Sequence, residues 1–329
     1  HGNLGRHAVL AAGLPESVPA VTVDRQCGSG QQAVSFAVHG IQAGAYQLVI
    51  GAGVESMSQA PMPPSFKPGA PLGSQYSPRE LARYKDNPLL AQGASSELMN
   101  KRFGLTREAL DAFAVRSHRR ATEALQAGRV QDQLVRLNED PADPDSPLVT
   151  ADEGVRADPN PEKMATLKPV FAADGVTTAA NSSQISDGAA ALLIASRAYA
   201  KQHGLKPRAR FVSTAVAAAD PVIQFTAVLD ATRKALTESG LTLADIDLFE
   251  VNEAFGGVPL MFQQEFGIPD DRLNVNGGSV AIGHPLGSTG ARMLTDLLCE
   301  LERRGGRYGL QTICEASGTA NTTIIERLG

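Results

Sequence analysis

The sequence has few cysteines, and their spacing is irregular. Only Cys27, Cys299 and Cys314 occur in 329 residues, an odd number without the paired spacing of a disulfide framework. We therefore expect a protein of a reducing compartment such as the cytoplasm. A zinc site is disfavoured as well, because Cys and His ligands of zinc usually come in close pairs.

Two further absences narrow the class of protein. The chain contains no apolar run near the ~20 residues of a membrane span, and no charged-then-apolar leader follows His1. It also lacks a basic run, and its net charge is -5, which argues against a nucleic-acid-binding surface. We expect neither a membrane span nor a nucleic-acid partner, and we expect chemistry on a small molecule.

The sequence does contain an alternation of strand and helix patterns that occurs twice. Hydrophobic residues make up 43% of the chain, enough for a large buried core. A short apolar stretch at residues 21–23, a glycine turn at Cys27, an apolar helix and a strand at residues 48–50 follow one another. A Gly/Pro turn at His284, an apolar helix and a strand at residues 310–314 repeat that order. This predicts an α/β layered fold of two duplicated βα halves, with Cys27 and His284 at equivalent positions near the junction.

Residues 56–185, in the middle of the chain, differ from the rest in composition. They are rich in Pro and Gly, carry one amphipathic helix that starts at the N-cap Thr106, and include an acidic loop at residues 138–147. Such a stretch indicates an inserted loop (lid) domain. The predicted division is an N-terminal half of residues 1–55 and 186–202, an insertion of residues 56–185, and a C-terminal half of residues 203–329.

Cys27 is the first candidate for chemistry. It stands directly before a helix, where free N–H groups and the helix dipole favour a thiolate over a thiol. The neighbouring glycines allow backbone N–H groups to approach a substrate oxyanion. Taken alone, a free cysteine is more often a small buried hydrophobic residue, so local context leaves both interpretations open.

Other candidates have equally plain alternatives. His284 lies in a Gly/Pro loop before a helix, a suitable place for a general base or for a structural histidine. Asn252 and Glu253 follow an apolar strand, where α/β proteins bind ligands, or they belong to the start of a helix. Cys314 ends a strand and Cys299 lies among leucines, so each on its own is typical of a core residue.

Four separated segments together resemble one family. DRQCGSGQQA around Cys27, VNEAF at Asn252, GGSVAIGHPLGSTGAR around His284 and ICEASGTAN around Cys314 are similar to thiolases, the acetyl-CoA acetyltransferases and 3-ketoacyl-CoA thiolases. GVESMSQAP, LKPVF and TTAANSSQISDGAAA agree as well. The resemblance extends from the first residues to the last.

This resemblance implies a thiolase-like fold and an acyl-CoA C-acyltransferase that cleaves 3-ketoacyl-CoA or runs the reverse Claisen condensation. Cys27 is then the acylated nucleophile, His284 the base that takes its proton, and Cys314 a second acid/base. Asn252 positions a water that forms one oxyanion site with His284. The backbone N–H groups of Cys27 and Ala316 form the other oxyanion site.

The resemblance also implies that coenzyme A and acyl-CoA are substrates, that no cofactor is bound permanently, and that the chain forms a homodimer or homotetramer. The coenzyme A contacts of the family correspond to Arg156, Phe171, Ser183, Ala254 and Phe255. Arg156 suits the nucleotide end of the molecule through charge and stacking. A surface salt bridge is the alternative role of Arg156.

The chain departs from the family pattern in several places. Ala316-Ser317-Gly318 replaces a glycine triplet, residues 224–231 replace a segment similar to GIGPVPA, and Ala91-Gln92-Gly93 replaces His-Met-Gly. A strand and a helix that open the family fold are absent before His1, so we expect missing N-terminal elements. A catalytically weakened acyl-CoA-binding protein therefore remains an alternative. A ketoacyl synthase is disfavoured, because its pattern of one Cys and two His differs from this chain's.

Overall fold

The computed structural model describes residues 2–61, 76–140 and 142–329. The helices in these ranges are α1 (Leu4–Ala11), α2 (Ser29–Gln42), α3 (Pro78–Arg83), α4 (Gln92–Arg102), α5 (Arg107–Gln126), α6 (Pro161–Ala165), α7 (Arg197–Gln202), α8 (Ala227–Ser239), α9 (Gly257–Phe266), α10 (Ser279–Ile282) and α11 (Leu286–Arg304). The strands are β1 (Leu48–Ser56), β2 (Asp187–Ala195), β3 (Ala209–Ala218), β4 (Leu248–Val251), β5 (Tyr308–Glu315) and β6 (Thr319–Arg327). No helix among the described residues is both long and apolar enough to cross a membrane.

Two helices lie between two sheets. β1 and β2 form an antiparallel sheet, and the second sheet has the order β3-β6-β5-β4, with β4 parallel to β5. α2 and α11 pack against both sheets through one apolar cluster, and α8 covers the other face of the second sheet. The predicted layered α/β fold is confirmed, and the two central helices are those that follow Cys27 and His284.

The central helices form where the apolar spacing predicts them. In α11 the buried side chains recur every three or four residues, which places them on one face of a helix: Met293, Leu294, Leu297, Leu298 and Leu301. In the insertion, α5 begins as predicted after Thr106, whose hydroxyl accepts a hydrogen bond from the Ala109 N–H.

Two predicted strands differ from the structure. Residues 21–23 form no strand, and Val21 is 80% exposed. β-branched residues alone do not make a strand, and none of the described strands pairs with these residues. β1 was predicted to be central and runs further, to Ser56. Within the described ranges only β2 pairs with it, so Leu48 and Ile50 stay 39% and 48% exposed.

The insertion contains a helix that the sequence did not predict. The buried positions of α4 are small or polar, apart from Met99: Gly93, Ser95, Ser96, Met99 and Asn100. Such a helix has no apolar period to detect. The division of the chain into residues 1–55 with 186–202, 56–185 and 203–329 stays a prediction.

Candidate active site

Cys27 lies in a short 3-10 turn, Gln26–Gly28, that leads directly into α2. Gln26 before it has a φ of 51°, a left-handed conformation that is strained for a residue with a side chain. Two hydrogen bonds hold the turn, from the Gln26 N–H to Asp24 Oδ1 and from the Arg25 N–H to Ser29 Oγ. The backbone at Cys27 is therefore set by local contacts.

The ionisation of Cys27 differs from the sequence prediction. Burial raises the pKa of the Cys27 thiol from 9.0 to about 12, and the negative charge of Glu315 adds to the shift. The helix N-terminus was expected to favour a thiolate, but the loss of hydration outweighs that effect at a side chain only 4% exposed. The resting state is a neutral thiol.

His284 lies in the loop between α10 and α11, and both its ring nitrogens have partners. Nδ1 is 2.8 Å from Thr289 Oγ1, and that hydroxyl donates to the Pro285 carbonyl, also at 2.8 Å. Nδ1 therefore carries the ring proton and donates a hydrogen bond to Thr289 Oγ1. This leaves Nε2 as the acceptor, which is the state that a general base requires.

The environment of His284 also keeps the imidazole neutral. Burial lowers its pKa from 6.5 to about 3, and the positive charge of Arg292 adds to the shift. His284 is only 5% exposed, so a charged ring would lose most of its hydration.

Asn252 contacts the second ring nitrogen of His284, Nε2. It follows β4, and its N–H donates to the Thr312 carbonyl of the parallel strand β5 at 3.0 Å. Its Oδ1 accepts from Ser279 Oγ at 2.7 Å, which orients the amide so that Nδ2 lies 3.2 Å from His284 Nε2. α9 starts only at Gly257, so the alternative that Asn252 caps a helix is wrong.

Glu253 next to it has a structural role in the described contacts. Its buried carboxylate accepts hydrogen bonds from Ser117 Oγ, the Val280 N–H and Asn274 Nδ2. These bonds join α5, α10 and the loop at Asn274, and so support the elements on which the His284 loop stands.

The N-termini of α2 and α11 meet backbone to backbone. A Cβ added at Gly30 would lie 2.6 Å from the Gly287 carbonyl oxygen, and one added at Gly290 would lie 2.2 Å from the Gln31 nitrogen. Only glycine permits so close an approach. The turn with Cys27 and the loop with His284 therefore share one junction, as the duplicated pattern predicted.

Cys314 reaches the same junction from β5. It is fully buried, and burial raises its pKa well above 9.0; a negative charge on Cys27, when that thiol loses its proton, is the next cause. Glu315 beside it packs against Gly28, where a Cβ would lie 1.9 Å from Glu315 Oε1. Cys27 packs in one cluster with Ile313, which precedes Cys314, and Asn252 contacts the His284 ring, so all four residues border this junction.

The turn at Ala316 keeps a backbone suited to glycine although glycine is missing. Ser317 has a φ of 63° and Gly318 a φ of 75°, both in the left-handed region. The Ser317 N–H donates to Gln224 Oε1 at 3.0 Å. A buried side chain of the changed segment 224–231 therefore holds the turn that the serine strains.

Four of the residues expected to contact coenzyme A lie together. The rings of Phe171 and Phe255 meet edge to face at 5.8 Å between centroids. The Ser183 N–H donates to the Ala254 carbonyl at 3.1 Å. Ala254 and Phe255 come two and three residues after Asn252, so this group borders the junction.

Arg156 lines a cavity of about 400 Å³. The cavity is also lined by Lys163, His118 and Gln184. The Arg156 N–H donates to His118 Nδ1. Burial, followed by the charge of Arg156, lowers the pKa of His118 to about 4, so this ring is neutral at pH 7.

Gln184 connects the cavity with the catalytic loop, and the sequence reasoning did not single it out. Its carbonyl accepts the His284 N–H at 3.1 Å, and its Nε2 donates to the carbonyls of Val280 and Ala281. Its place inside the motif TTAANSSQISDGAAA was the available signal. Lys163 was also missed, because an isolated lysine in a loop has no distinctive pattern.

One cysteine lies elsewhere than predicted. Cys299 was expected in the core, but it is only half-buried, and Arg208 Nη2 donates to its sulfur at 3.2 Å. Cys299 lies on the less buried face of α11, where Arg292, Thr295 and Glu302 precede and follow it at helical spacing, whereas Leu298 and Leu301 are buried.

Comparison with known proteins assigns both parts of the chain to one family. Residues 2–198 match the family description "Thiolase, N-terminal domain" and residues 205–327 match "Thiolase, C-terminal domain". The chain is 45% identical to a steroid 3-ketoacyl-CoA thiolase of Mycobacterium tuberculosis, over 99% of this chain and 79% of that protein. It is 39% identical to a 3-ketoacyl-CoA thiolase of Bacillus subtilis, over 98% of this chain and 83% of that protein.

Solved structures agree with the sequence relatives. Human mitochondrial 3-ketoacyl-CoA thiolase in complex with CoA matches with a TM-score of 0.88 and 34% identity, over 99% of this chain and 82% of that chain. Another crystal structure of that enzyme gives a TM-score of 0.87 and 33% identity, over 99% and 83% of the two chains. With the sequence segments, the layered fold and both family domains in agreement, the chain belongs to the thiolase family.

Proposed function

We propose that Cys27, His284, Cys314 and Asn252 together catalyse the acyl transfer of this thiolase, the cleavage of a 3-ketoacyl-CoA by coenzyme A or the reverse Claisen condensation. The observation that carries the proposal is the junction of α2 and α11, where a buried thiol and a neutral imidazole stand at the starts of two touching helices. A second buried thiol adjoins them.

The first half-reaction forms an acyl-enzyme. The Cys27 proton passes to His284 Nε2, and the sulfur bonds to the keto carbon of the substrate. The bond between that carbon and the α-carbon breaks, and the electron pair stays on the α-carbon. Cys314 gives its proton to the α-carbon and becomes a thiolate, which releases acetyl-CoA.

The second half-reaction restores both side chains. The thiol of coenzyme A gives its proton to the Cys314 thiolate, and its sulfur bonds to the acyl carbon on Cys27. The bond to Cys27 breaks, and the Cys27 sulfur recovers the proton held by His284. Burial disfavours each separate charge, but a thiolate beside an imidazolium attracts it strongly in a site of low dielectric, so the two charges form together.

Two groups of donors suit the oxygen of the intermediates. The N–H groups of Cys27 and Ala316 form one site, and the left-handed Ser317 keeps the turn in the conformation that glycine would adopt. His284, once protonated, and a water positioned by Asn252 form the other. Donors held in place before the reaction stabilise an oxyanion without further reorganisation.

Coenzyme A fits the residues next to the junction. Arg156 and Lys163 supply cations at the cavity for its phosphates, which carry negative charge. Phe171, Ser183, Ala254 and Phe255, which contact one another in pairs, suit the apolar pantetheine arm and its amides. We further propose a homodimer or homotetramer in the cytoplasm, without a permanently bound cofactor.

The direct test measures cleavage of acetoacetyl-CoA by coenzyme A. Cys27→Ser is expected to lower kcat by at least ~10³-fold, because an alcohol replaces the nucleophilic thiol. Cys299→Ser, in the half-exposed cysteine of α11, is the matched control and is expected to stay within about twofold of the unaltered chain.

Mass spectrometry after incubation with acetyl-CoA separates the two cysteines. We expect an acetyl adduct on Cys27 in the unaltered chain and in Cys314→Ala, although Cys314→Ala loses cleavage of acetoacetyl-CoA. Cleavage by Cys27→Ser at the unaltered rate would contradict the role of Cys27. If no adduct forms and the unaltered chain does not cleave acetoacetyl-CoA, the proposal is wrong, and the acyl-CoA-binding alternative takes its place.

A further inference from the structure

Ser279, the first residue of α10, decides which way the Asn252 amide faces. Ser279 is 1% exposed, and its Oγ lies 2.7 Å from Asn252 Oδ1. A buried hydroxyl proton needs an acceptor, and Arg292 Nη2, which lies 3.5 Å from the same Oγ, can only donate. The Ser279 proton therefore goes to Asn252 Oδ1, and this leaves Asn252 Nδ2 to face His284 Nε2 at 3.2 Å.

The backbone on each side of this hydrogen bond is held by other contacts. Ser279 is fixed through its neighbour Val280, whose N–H donates to Glu253 Oε2 at 3.0 Å. Asn252 is fixed through its own N–H, which donates to the Thr312 carbonyl at 3.0 Å. Among the described residues, no second group donates to Asn252 Oδ1. Rotation of the amide group is therefore the freedom that the Ser279 hydroxyl removes.

The orientation of this amide matters after His284 has taken the Cys27 proton in the proposed reaction. His284 Nε2 then carries an N–H, and an amide free to turn would bring Asn252 Oδ1 round to accept it. Such a bond to an imidazolium is charge-assisted and strong, so it would take the ring N–H away from the oxygen of the intermediate. With Oδ1 bound to Ser279, the ring N–H and the Asn252 Nδ2 hydrogens all remain available to that oxygen and to its water.

We propose that Ser279 is a positioning residue for acyl transfer, which holds Asn252 Oδ1 so that Asn252 Nδ2 and the protonated His284 Nε2 both remain donors at the oxyanion site. Donors fixed before the reaction stabilise an oxyanion without reorganisation, so the effect of Ser279 appears in the transition state and not in substrate binding. This role rests on the proposed reaction through Cys27 and on the part that Asn252 has in it.

The test is a double-mutant cycle of Ser279→Ala and Asn252→Ala in the cleavage of acetoacetyl-CoA by coenzyme A. Ser279→Ala removes one oxygen atom and nearly keeps the shape of the side chain. We expect it to lower kcat about 10-fold and to leave KM within about twofold. In the Asn252→Ala background the same change is expected to alter kcat by less than about twofold, because the amide on which Ser279 acts is gone.

Two further variants separate positioning from packing. Ser35→Ala makes the same change at a buried serine of α2, whose Oγ donates to the Gln31 carbonyl. This control is expected to stay within about twofold of its parent in both backgrounds. Ser279→Cys keeps a weak donor of similar size, so we expect a loss of about threefold in the unaltered background and none in Asn252→Ala. It replaces Ser279→Ala in the cycle if that variant does not fold.

The outcome of the cycle decides the role of Ser279. An equal loss of kcat from Ser279→Ala in both backgrounds, or no loss in either, would overturn it. Failure of the proposed function is a separate result, since Asn252→Ala would then cleave acetoacetyl-CoA like the unaltered chain, or the unaltered chain would form no acetyl adduct on Cys27.

Discussion

The loop before α2 and the loop before α11 occupy equivalent places, but they hold their functional side chains differently. At Cys27 the hydrogen bonds go to the backbone, from Gln26 to Asp24 and from Arg25 to Ser29. At His284 they go to the side chain itself, through Thr289 and Asn252.

This difference follows from what each residue has to do. A base must present the same nitrogen at every turnover, so a ring with both nitrogens paired is an advantage. A nucleophile changes its partner from a proton to an acyl group and back, so its sulfur cannot have a permanent strong bond. The Cys27 loop therefore fixes the backbone and leaves the sulfur able to change partners, whereas the His284 loop fixes the ring itself.

The largest expected effect concerns pH and stability. His284 has a pKa of about 3 when folded and 6.5 as the ordinary value, so below pH 6.5 the unfolded chain binds a proton that the folded chain does not. The free energy of unfolding should therefore fall as pH falls, by about 1.4 kcal/mol per pH unit from this residue. In His284→Asn that contribution disappears between pH 6.5 and 5, as measured by urea unfolding.

Cys27→Ala is the matched change in the other loop. In the unaltered chain the Cys27 thiol is neutral in both the folded and the unfolded state between pH 5 and 6.5, since its pKa is 9.0 ordinarily and about 12 when folded. The slope of the unfolding free energy of Cys27→Ala against pH should equal that of the unaltered chain. If His284→Asn shows the same slope of unfolding free energy against pH as the unaltered chain, the buried neutral imidazole is contradicted.

The next effect tests the fixed ring of His284. Thr289→Val keeps the shape of the side chain but removes the oxygen that accepts from Nδ1, so the tautomer with an unprotonated Nε2 loses its support. We expect kcat for acetoacetyl-CoA cleavage to fall about 10-fold. Thr289→Ser retains the hydroxyl and should keep most of the activity, and equal losses in both variants would point to packing instead.

The smallest effect concerns the electrostatics of the sulfur. Glu315→Gln removes a negative charge that raises the pKa of Cys27, so iodoacetamide should alkylate Cys27 about threefold faster at pH 8. Glu302→Gln, in an exposed pair with Arg208, is the control and should not alter the rate. A slower reaction in Glu315→Gln would mean that its ion pair with Arg25 matters more as a brace for the Cys27 turn.

Much of the architecture could be predicted from local patterns. The apolar period of α11, the N-cap Thr106 and the strand before Asn252 each depend on neighbouring residues, and each prediction was confirmed. The repeated order of turn, helix and strand also indicated that the Cys27 and His284 loops would meet.

Other features depend on contacts between distant residues. α4 escaped prediction because it buries small and polar side chains. Val21 forms no strand because no strand in the described part of the chain pairs with it. The link from Gln224 to Ser317 joins two departures from the family pattern. Neither residue by itself indicated the other.

The sequence by itself determined the family, the order of elements and the candidate residues, because glycine turns, caps and apolar periods act over a few positions. Only the tertiary structure decided that the Cys27 thiol is neutral and that His284 offers Nε2. The reason is physical: a pKa depends on burial and on charges brought close by folding, and these come from residues far away along the chain.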